Sequence, residues 1–389
     1  VGGQLLPTVL SHVALTALGH GDNTALVQSC EELLELLVRP ADGSEPSMVQ
    51  PTLATTRETA WALLSLEALG VPEADASVQR AAHWLLDRQV VHRGDGLSGL
   101  AGGWAMQRNN PLGPDVETTG LALLALLRFA RQAEPVSIGR HGNLQEAKRQ
   151  LAHDLWPAVL PARVHAARST ANDWLMSLQN ADGGWGQYGY AHGANQRYLV
   201  DHHDPWERSA ADSTAVVVEQ LARGKLASDP ACVRGLQYLL DRQQSDGSWS
   251  VLWGQGCFDG TARGLIALHA MGLHGHEPPV ERAIDYLRGR QQEHGAWPSG
   301  QRTQDPRGSV CNTGWCLLAL LNYVPASEPL IVRAVDFLLR QQQLEGHWSD
   351  RHAVRTLMPG QQWMASSMET HCLVIRALAS YAQMSRRQG

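Results

Sequence analysis

Carboxylates recur at one kind of place in this chain, directly ahead of a threonine that opens an apolar run. Asp115 and Glu117 stand in DVETT, Asp212 in DSTAV, Asp259 in DGTAR, Glu58 in ETAWALL and Glu369 in ETHCL. Aligned on those threonines, Glu117, Asp212 and Asp259 fall two residues upstream, and Glu58, Thr118, Asn312 and Glu369 fall one residue upstream. Taken singly, each acid reads as an ordinary N-cap or first-turn residue, because the free amide N–H groups and partial positive charge of a helix start favour a carboxylate. Several acids converging on one apolar funnel are a different matter. Crowding and burial then hold a carboxyl group neutral, with a proton ready for delivery.

The elements that must bring these acids together are two interleaved sets of helices. One set comprises ETAWALLSL, TTGLALLAL, STAVVVEQL, GTARGLIAL, NTGWCLLAL and ETHCLVIRAL. These runs are apolar on most sides and therefore buried. The other set is amphipathic and repeats without gaps: DPACVRGLQYLLDRQQSDGSW, EPPVERAIDYLRGRQQEHGAW and EPLIVRAVDFLLRQQQLEGHW, with a degenerate copy ending at Trp185. An acid followed by Pro suits the first helical turn, and a Gly stops each unit. The Gln and Trp closing every unit can cap helix ends and tie neighbours together. Six buried helices alternating with amphipathic ones predict an all-α fold, an (α/α)6 barrel, over residues 1–389 as a single domain. An open solenoid of helical hairpins is the competing architecture, and it would have no closed chamber.

The bulk properties narrow the function classes. A net charge of −6 without a basic run argues against nucleic acid as a partner. The six cysteines form neither a disulfide framework nor a CxxC pair, which points to a reducing, cytoplasmic setting. No apolar stretch reaches the roughly 18 to 20 residues of a membrane span. The leucines of QLLPTVL read as an apolar entry patch for a lipid-like substrate, consistent with peripheral membrane contact. Asp182 and Asp246 fit repeat turns. The run DHHDPWE, with Asp201, His202, His203 and Asp204, reads as a solvated loop more readily than as a metal site.

The Q-x3-G-x-W repeats, the segment GGWAMQRNNPLGPDVETTGLALLAL, the stretch DGSWSVLWGQG and the opening VGGQLLPTV resemble the squalene–hopene cyclase family over almost the whole chain. That resemblance implies a barrel whose DxDD-T motif protonates a terminal alkene or epoxide. The resulting carbocation then closes rings inside an aromatic-lined cavity. The larger members add a second helical barrel, for which this chain shows no counterpart. No cofactor is implied for the chemistry itself, and Mg enters only if the substrate is a diphosphate.

The departures from the family pattern shape the expectation. DxDD-T reads DVETT here, so the donor's place falls on Glu117, flanked by Asp115, with Thr118 for the last Asp. Val216 stands where a supporting His is usual, while Asp212 and Glu58 match family acids and Asp259 replaces a Tyr. Trp253 and Tyr188 match cavity aromatics and Trp104 joins them on the cation path. Met106, Met358 and Gln362 take positions that are Phe in the family. Glutamate is a weaker acid than aspartate by about 0.4 of a pKa unit. Each lost π-face removes on the order of 1 kcal/mol of cation stabilisation. The expected substrate is therefore a small apolar prenyl, epoxyprenyl or meroterpenoid-type molecule, not squalene, with Glu117 as principal acid, Asp115 orienting it, and Asp212 and Asp259 tuning it. Two other readings stand beside this one. The first is a non-catalytic or partner-dependent toroid binding an apolar ligand. The second is a prenyltransferase-like toroid with zinc on Cys257, Asp259 and His371, whose ligand order departs from that family's.

Overall fold

The computed structural model describes residues 5–19, 37–38, 48–49, 54–90, 102–107, 113–131, 144–188, 207–252, 256–299, 307–350, 355–358, 362–364 and 367–388. A first helix, α1 (Leu5–Ala17), precedes the strand pair β1 (Leu37–Val38) and β2 (Met48–Val49). The helices that follow alternate as the sequence predicts. The inner set is α2 (Thr55–Ala68), α4 (Val116–Leu126), α6 (Ala211–Leu221), α8 (Cys257–Ala270), α10 (Val310–Leu320) and α12 (Ser367–Gln388). The outer set is α3 (Ala76–Leu86), α5 (Leu144–Ser177), α7 (Pro230–Arg242), α9 (Pro278–Arg288) and α11 (Pro329–Arg340). Two further hairpins, β3 (Trp104–Ala105) with β4 (Pro114–Asp115) and β5 (Arg355–Met358) with β6 (Gln362–Met364), lie ahead of α4 and α12.

The inner helices pack in order around a ring, and α12 returns to pack on α2. That closure is stitched by Ser65 Oγ donating to the Cys372 carbonyl at 2.9 Å and by Gln383 donating to the Ala68 carbonyl at 2.6 Å. The open solenoid is thereby excluded, and the chain is a closed α/α toroid. Every residue of α4 is buried, as its all-round apolar sequence requires, whereas α9 and α11 bury one face only.

The repeated Gln and Trp have specific tasks. Gln243 Nε2 donates both to the Gly247 carbonyl of its own loop at 3.0 Å and to the Pro279 carbonyl in the first turn of the next outer helix at 2.7 Å. Gln179 and Gln291 make the same pair of bonds one unit at a time, and Gln89 bonds the Gly102 carbonyl of its own loop and the Ala167 carbonyl within α5. Each motif Trp donates its indole N–H to a leucine carbonyl near the end of the preceding outer helix, as Trp249 does to Leu239 at 2.7 Å. In the first four repeats its backbone N–H donates to the recurrent inner-helix threonine, Trp104 to Thr119, Trp185 to Thr214, Trp249 to Thr261 and Trp297 to Thr313, and in the last Trp348 donates to His371 Nδ1. The threonines therefore join the inner ring to the outer one, a structural reason for their regular spacing.

Asp182 and Asp246 are turn residues as expected, accepting from the Gly184 and Ser248 amides at 3.1 Å. The loop glycines complete the repeat. Gly295 has φ +99°, and a Cβ there would lie 2.0 Å from the Arg333 carbonyl oxygen, because the loop presses directly on the next outer helix. Gly295→Ala is expected to lower stability by more than about 1 kcal/mol from the left-handed backbone alone, with the clash adding to it. Urea unfolding of the two proteins measures the difference.

Candidate active site

The predicted acids do assemble at the N-terminal ends of the inner helices, and they are buried. Glu117 and Asp115 are each 1% exposed, Asp212 and Glu369 3%, and Asp259 5%. What the acids surround is a pair of arginines. Arg57 Nη2 lies 2.9 Å from Glu117 Oε1, and Arg263 Nη1 lies 2.6 Å from the same oxygen. Arg57 also reaches Glu369 at 3.5 Å, and Arg263 pairs with Asp259 one turn away on α8 and lies 3.9 Å from Glu369. Side chains from α2, α4, α8 and α12 thus meet across the bore in one ionic cluster.

Both arginines carry a sequence signal that the acids overshadowed. Arg57 stands two residues before Thr59, in the same register as Glu117, Asp212 and Asp259. Arg263 stands two residues after Thr261, where the other inner helices carry Trp61, Leu121, Val216, Trp315 and Cys372. An arginine in an otherwise apolar layer of a buried helix needs a buried partner. Its guanidinium also lies 4.3 Å from the centroid of the Trp315 ring, so a protein cation already occupies that π-face.

Burial alone would lower both guanidinium pKa values. The carboxylates beside them outweigh it and hold Arg57 and Arg263 above the ordinary arginine range. Glu117 Oε1 accepts from both guanidiniums. Asp115 is in the opposite position. Its Oδ1 accepts from the Thr118 amide at 2.8 Å, as the N-cap of α4, and from Gln187 Nε2 at 3.0 Å. Its Oδ2 is buried with no hydrogen-bond partner. Burial pushes this carboxyl up to about 7, against the opposing hydrogen bonds from Thr118. Asp259 is raised by burial despite Arg263, and half-buried Glu58 is raised by burial and by nearby Glu369. Asp212 accepts from the Ser213 amide at 3.1 Å.

The expected lining residues stand in different places. Trp104 is a correction: it is the motif Trp of the first repeat, fully buried, its indole N–H bonded to the Leu85 carbonyl at 2.7 Å rather than facing a cation path. Thr118 is buried and serves Asp115 through its amide. Met106 and Tyr188 are half-buried. Met358 and Gln362 face each other as backbone partners across β5 and β6. Trp253, Asp201, His202, His203 and Asp204 lie outside the described residues, as do the side chains of Leu5 and Leu6, whereas Val9 of the same α1 face is exposed. The zinc triad is also occupied otherwise, since Asp259 is bound to Arg263 and His371 Nδ1 accepts from the Trp348 amide at 3.3 Å. Among the described residues no group of three His, Cys, Asp or Glu could hold a metal ion, the five described cysteines are free and buried, and no helix is long and apolar enough to cross a membrane.

The described residues line a bore of about 590 Å³ that begins at Trp61, Arg263 and Trp315 and runs toward the C-terminal ends of the inner helices. None of Asp115, Glu117, Asp212 and Asp259 lines it, whereas Arg263 and the edge-on pair Trp61 and Trp315, with centroids 5.5 Å apart, do.

A closed α/α toroid with buried acids at the inner-helix starts is the architecture of terpenoid cyclases, and comparison with known proteins agrees. The squalene–hopene cyclase C-terminal domain profile matches residues 53–143 and 158–383, and the chain belongs to that family. Squalene–hopene cyclase of Alicyclobacillus acidocaldarius is 30% identical over 100% of this chain and 59% of that enzyme. Sporulenol synthase of Bacillus subtilis is 30% identical over 85% of this chain and 50% of that enzyme. The chain thus spans a little over half the length of the curated relatives it matches. Among solved structures, the type II terpene cyclase MstE from Scytonema has a TM-score of 0.53 at 21% identity, covering 86% of this chain and 89% of that one. The ent-copalyl diphosphate synthase from Streptomyces platensis has a TM-score of 0.56 at 18% identity, covering 92% of this chain and 55% of that one. At those identities the likeness is one of fold.

Removing one guanidinium leaves surplus buried charge. Arg263→Met is expected to cost about 3–5 kcal/mol near neutral pH. The deficit should shrink as the pH is lowered, because Asp259, raised by burial, can then take up a proton and relieve the surplus negative charge. Urea unfolding at pH 7.5 and about pH 5 tests both the size and the sign.

Proposed function

We propose that this protein is a class II terpene-cyclase-like enzyme that starts a carbocation cyclisation of a medium-length prenyl, epoxyprenyl or meroterpenoid-type substrate by proton transfer from Asp115. The observation that carries this reading is the state of Asp115, a buried carboxyl raised to about 7 with one oxygen held by two donors and the other unpartnered. Such a group is about half protonated at pH 7 and more fully protonated below it. Glu117, at the position expected of the donor, is instead assigned as the ion-pair partner of Arg57 and Arg263. Asp259 is assigned as a tuning acid in the same cluster, and Asp212 as a helix-start acid beside Gln187's partner Ser213. The relatives' names support the reaction class, and one solved MstE complex holds geranylgeranyl dihydroxybenzoate as its substrate.

The step balances simply. The proton passes from Asp115 to an epoxide oxygen or to the terminal carbon of an alkene, the C–O bond or the π pair opens to give a tertiary cation, and an internal double bond attacks it. Loss of a proton or capture of water ends the sequence, and solvent restores the proton to Asp115. A carboxyl near 7 is a weak acid, which favours an epoxide over an isolated alkene, because the more basic oxygen asks less of the donor. Arg263 over Trp315 also removes one aromatic face from any cation, which favours few ring closures.

Incubation with a panel of linear, epoxidised and diphosphorylated prenyl substrates, followed by product analysis, tests the assignment. Asp115→Asn should abolish cyclised product at unchanged melting temperature. Glu117→Gln should lower both turnover and stability, since it leaves two guanidiniums underbalanced. Turnover at the normal rate in Asp115→Asn, or no cyclised product from any substrate, overturns the proposal, the latter in favour of a toroid that needs a partner chain or only binds its ligand. The pH profile supplies an independent check: activity should fall as the pH rises through about 7, where Asp115 loses its proton.

A further inference from the structure

The bore below Arg263 contains a cation that the acid chemistry leaves unused. Arg376 projects from the middle of α12 into this cavity, with its guanidinium 5.3 Å from the centroid of the Trp61 ring. Among the described residues it has no hydrogen-bond or ion-pair partner, although a guanidinium offers five N–H donors in a planar fork. The nearby carboxylates do not supply one. Glu219 is bound to Arg223 at 2.9 Å, and Glu67 acts on Arg376 only at a distance.

Helix C-termini attract cations, and that accounts for Arg223 and His269 at the ends of their helices. It does not account for Arg376, which lies far from the end of α12. Burial lowers the pKa of this arginine, so the fold carries a cost to keep a charge there. Around it, Leu64, Leu124, Ile266 and Leu318 form an apolar sleeve one layer deeper than Trp61 and Trp315. A volume of about 590 Å³ is in the range of small-molecule sites.

We propose that the C-terminal half of the barrel bore is a binding site for a medium-chain anionic amphiphile, with a carboxylate or phosphate monoester head on Arg376 and its tail in the sleeve. The head accepts from the guanidinium fork, replacing the partner that the protein itself does not provide. The tail displaces water from apolar walls. This site is separate from Asp115 and Glu117 and does not rest on the proposed reaction.

Isothermal titration calorimetry on the purified chain tests it, with decanoate, decyl phosphate, decylammonium and inorganic phosphate as probes, each below its micellar concentration. Decanoate and decyl phosphate should bind. Decylammonium, with the same tail and the opposite charge, and inorganic phosphate, with no tail, should bind far more weakly. Arg376→Met should weaken decanoate roughly ten- to hundredfold, the loss expected of a charged hydrogen bond, while Arg376→Lys retains part of the affinity. Leu318→Trp fills the sleeve and should block the tailed anions without touching the arginine. Asp115→Asn should bind decanoate as the parent does, so that failure of the acid assignment and failure of this site are told apart. Equal binding of decylammonium, binding of inorganic phosphate as tight as decyl phosphate, no binding of either tailed anion, or full affinity in both Arg376→Met and Leu318→Trp would each overturn the proposal.

Discussion

Two guanidiniums buried among carboxylates are the constraint on which this barrel's centre depends. Arg57 and Arg263 cannot leave their partners without stranding charge in an apolar bore, and the same holds for Glu117, Asp259 and Glu369. Because those groups come from four different inner helices, the ion pairs set the distance between helix starts on opposite sides of the ring. Glu117 is consumed by the arginines, while Asp115, held through one oxygen by Thr118 and Gln187, keeps its other oxygen unpartnered. Division of labour between neighbouring carboxyls follows from where the cations stand.

The outer architecture is maintained by a different and more repetitive device. In four repeats the motif Gln joins its own loop to the next outer helix, and the motif Trp joins the end of one outer helix to a threonine of the inner ring; in the last, Trp348 bonds His371 instead. A single bond of this type contributes on the order of 1 kcal/mol, and their regular recurrence turns a row of helical hairpins into a belt. Closure then rests on α12 packing against α2, which brings Glu369 and Arg376 to the same bore as Arg57 and Trp61. The bore is divided by charge and by aromatic bulk into an acidic upper layer and a lower chamber with its own cation.

The repeats made the helical order, the inner and outer roles and the positions of the acids legible before any coordinates. An apolar run led by Thr and an amphipathic run ended by Gln, Gly and Trp are local patterns, and local patterns survive translation into helices. Arg57 was legible by register but not by role, since a surface ion pair and a buried one read alike in sequence. Trp104 is ambiguous in sequence for a related reason: an aromatic before a helix start can line a cavity or close a repeat, and its bond to the Leu85 carbonyl places it in the second role.

By itself the sequence determined the family, the alternation of buried and amphipathic helices, and the set of carboxyl groups brought to the helix starts, because each depends on residue type and short-range periodicity. The tertiary structure alone decided that the ring closes, that Glu117 is spent on two arginines while Asp115 holds an unpartnered oxygen, and that the cavity below them carries Arg376. Those outcomes depend on distances between residues hundreds of positions apart, and on the energy of burying charge, which no local pattern encodes.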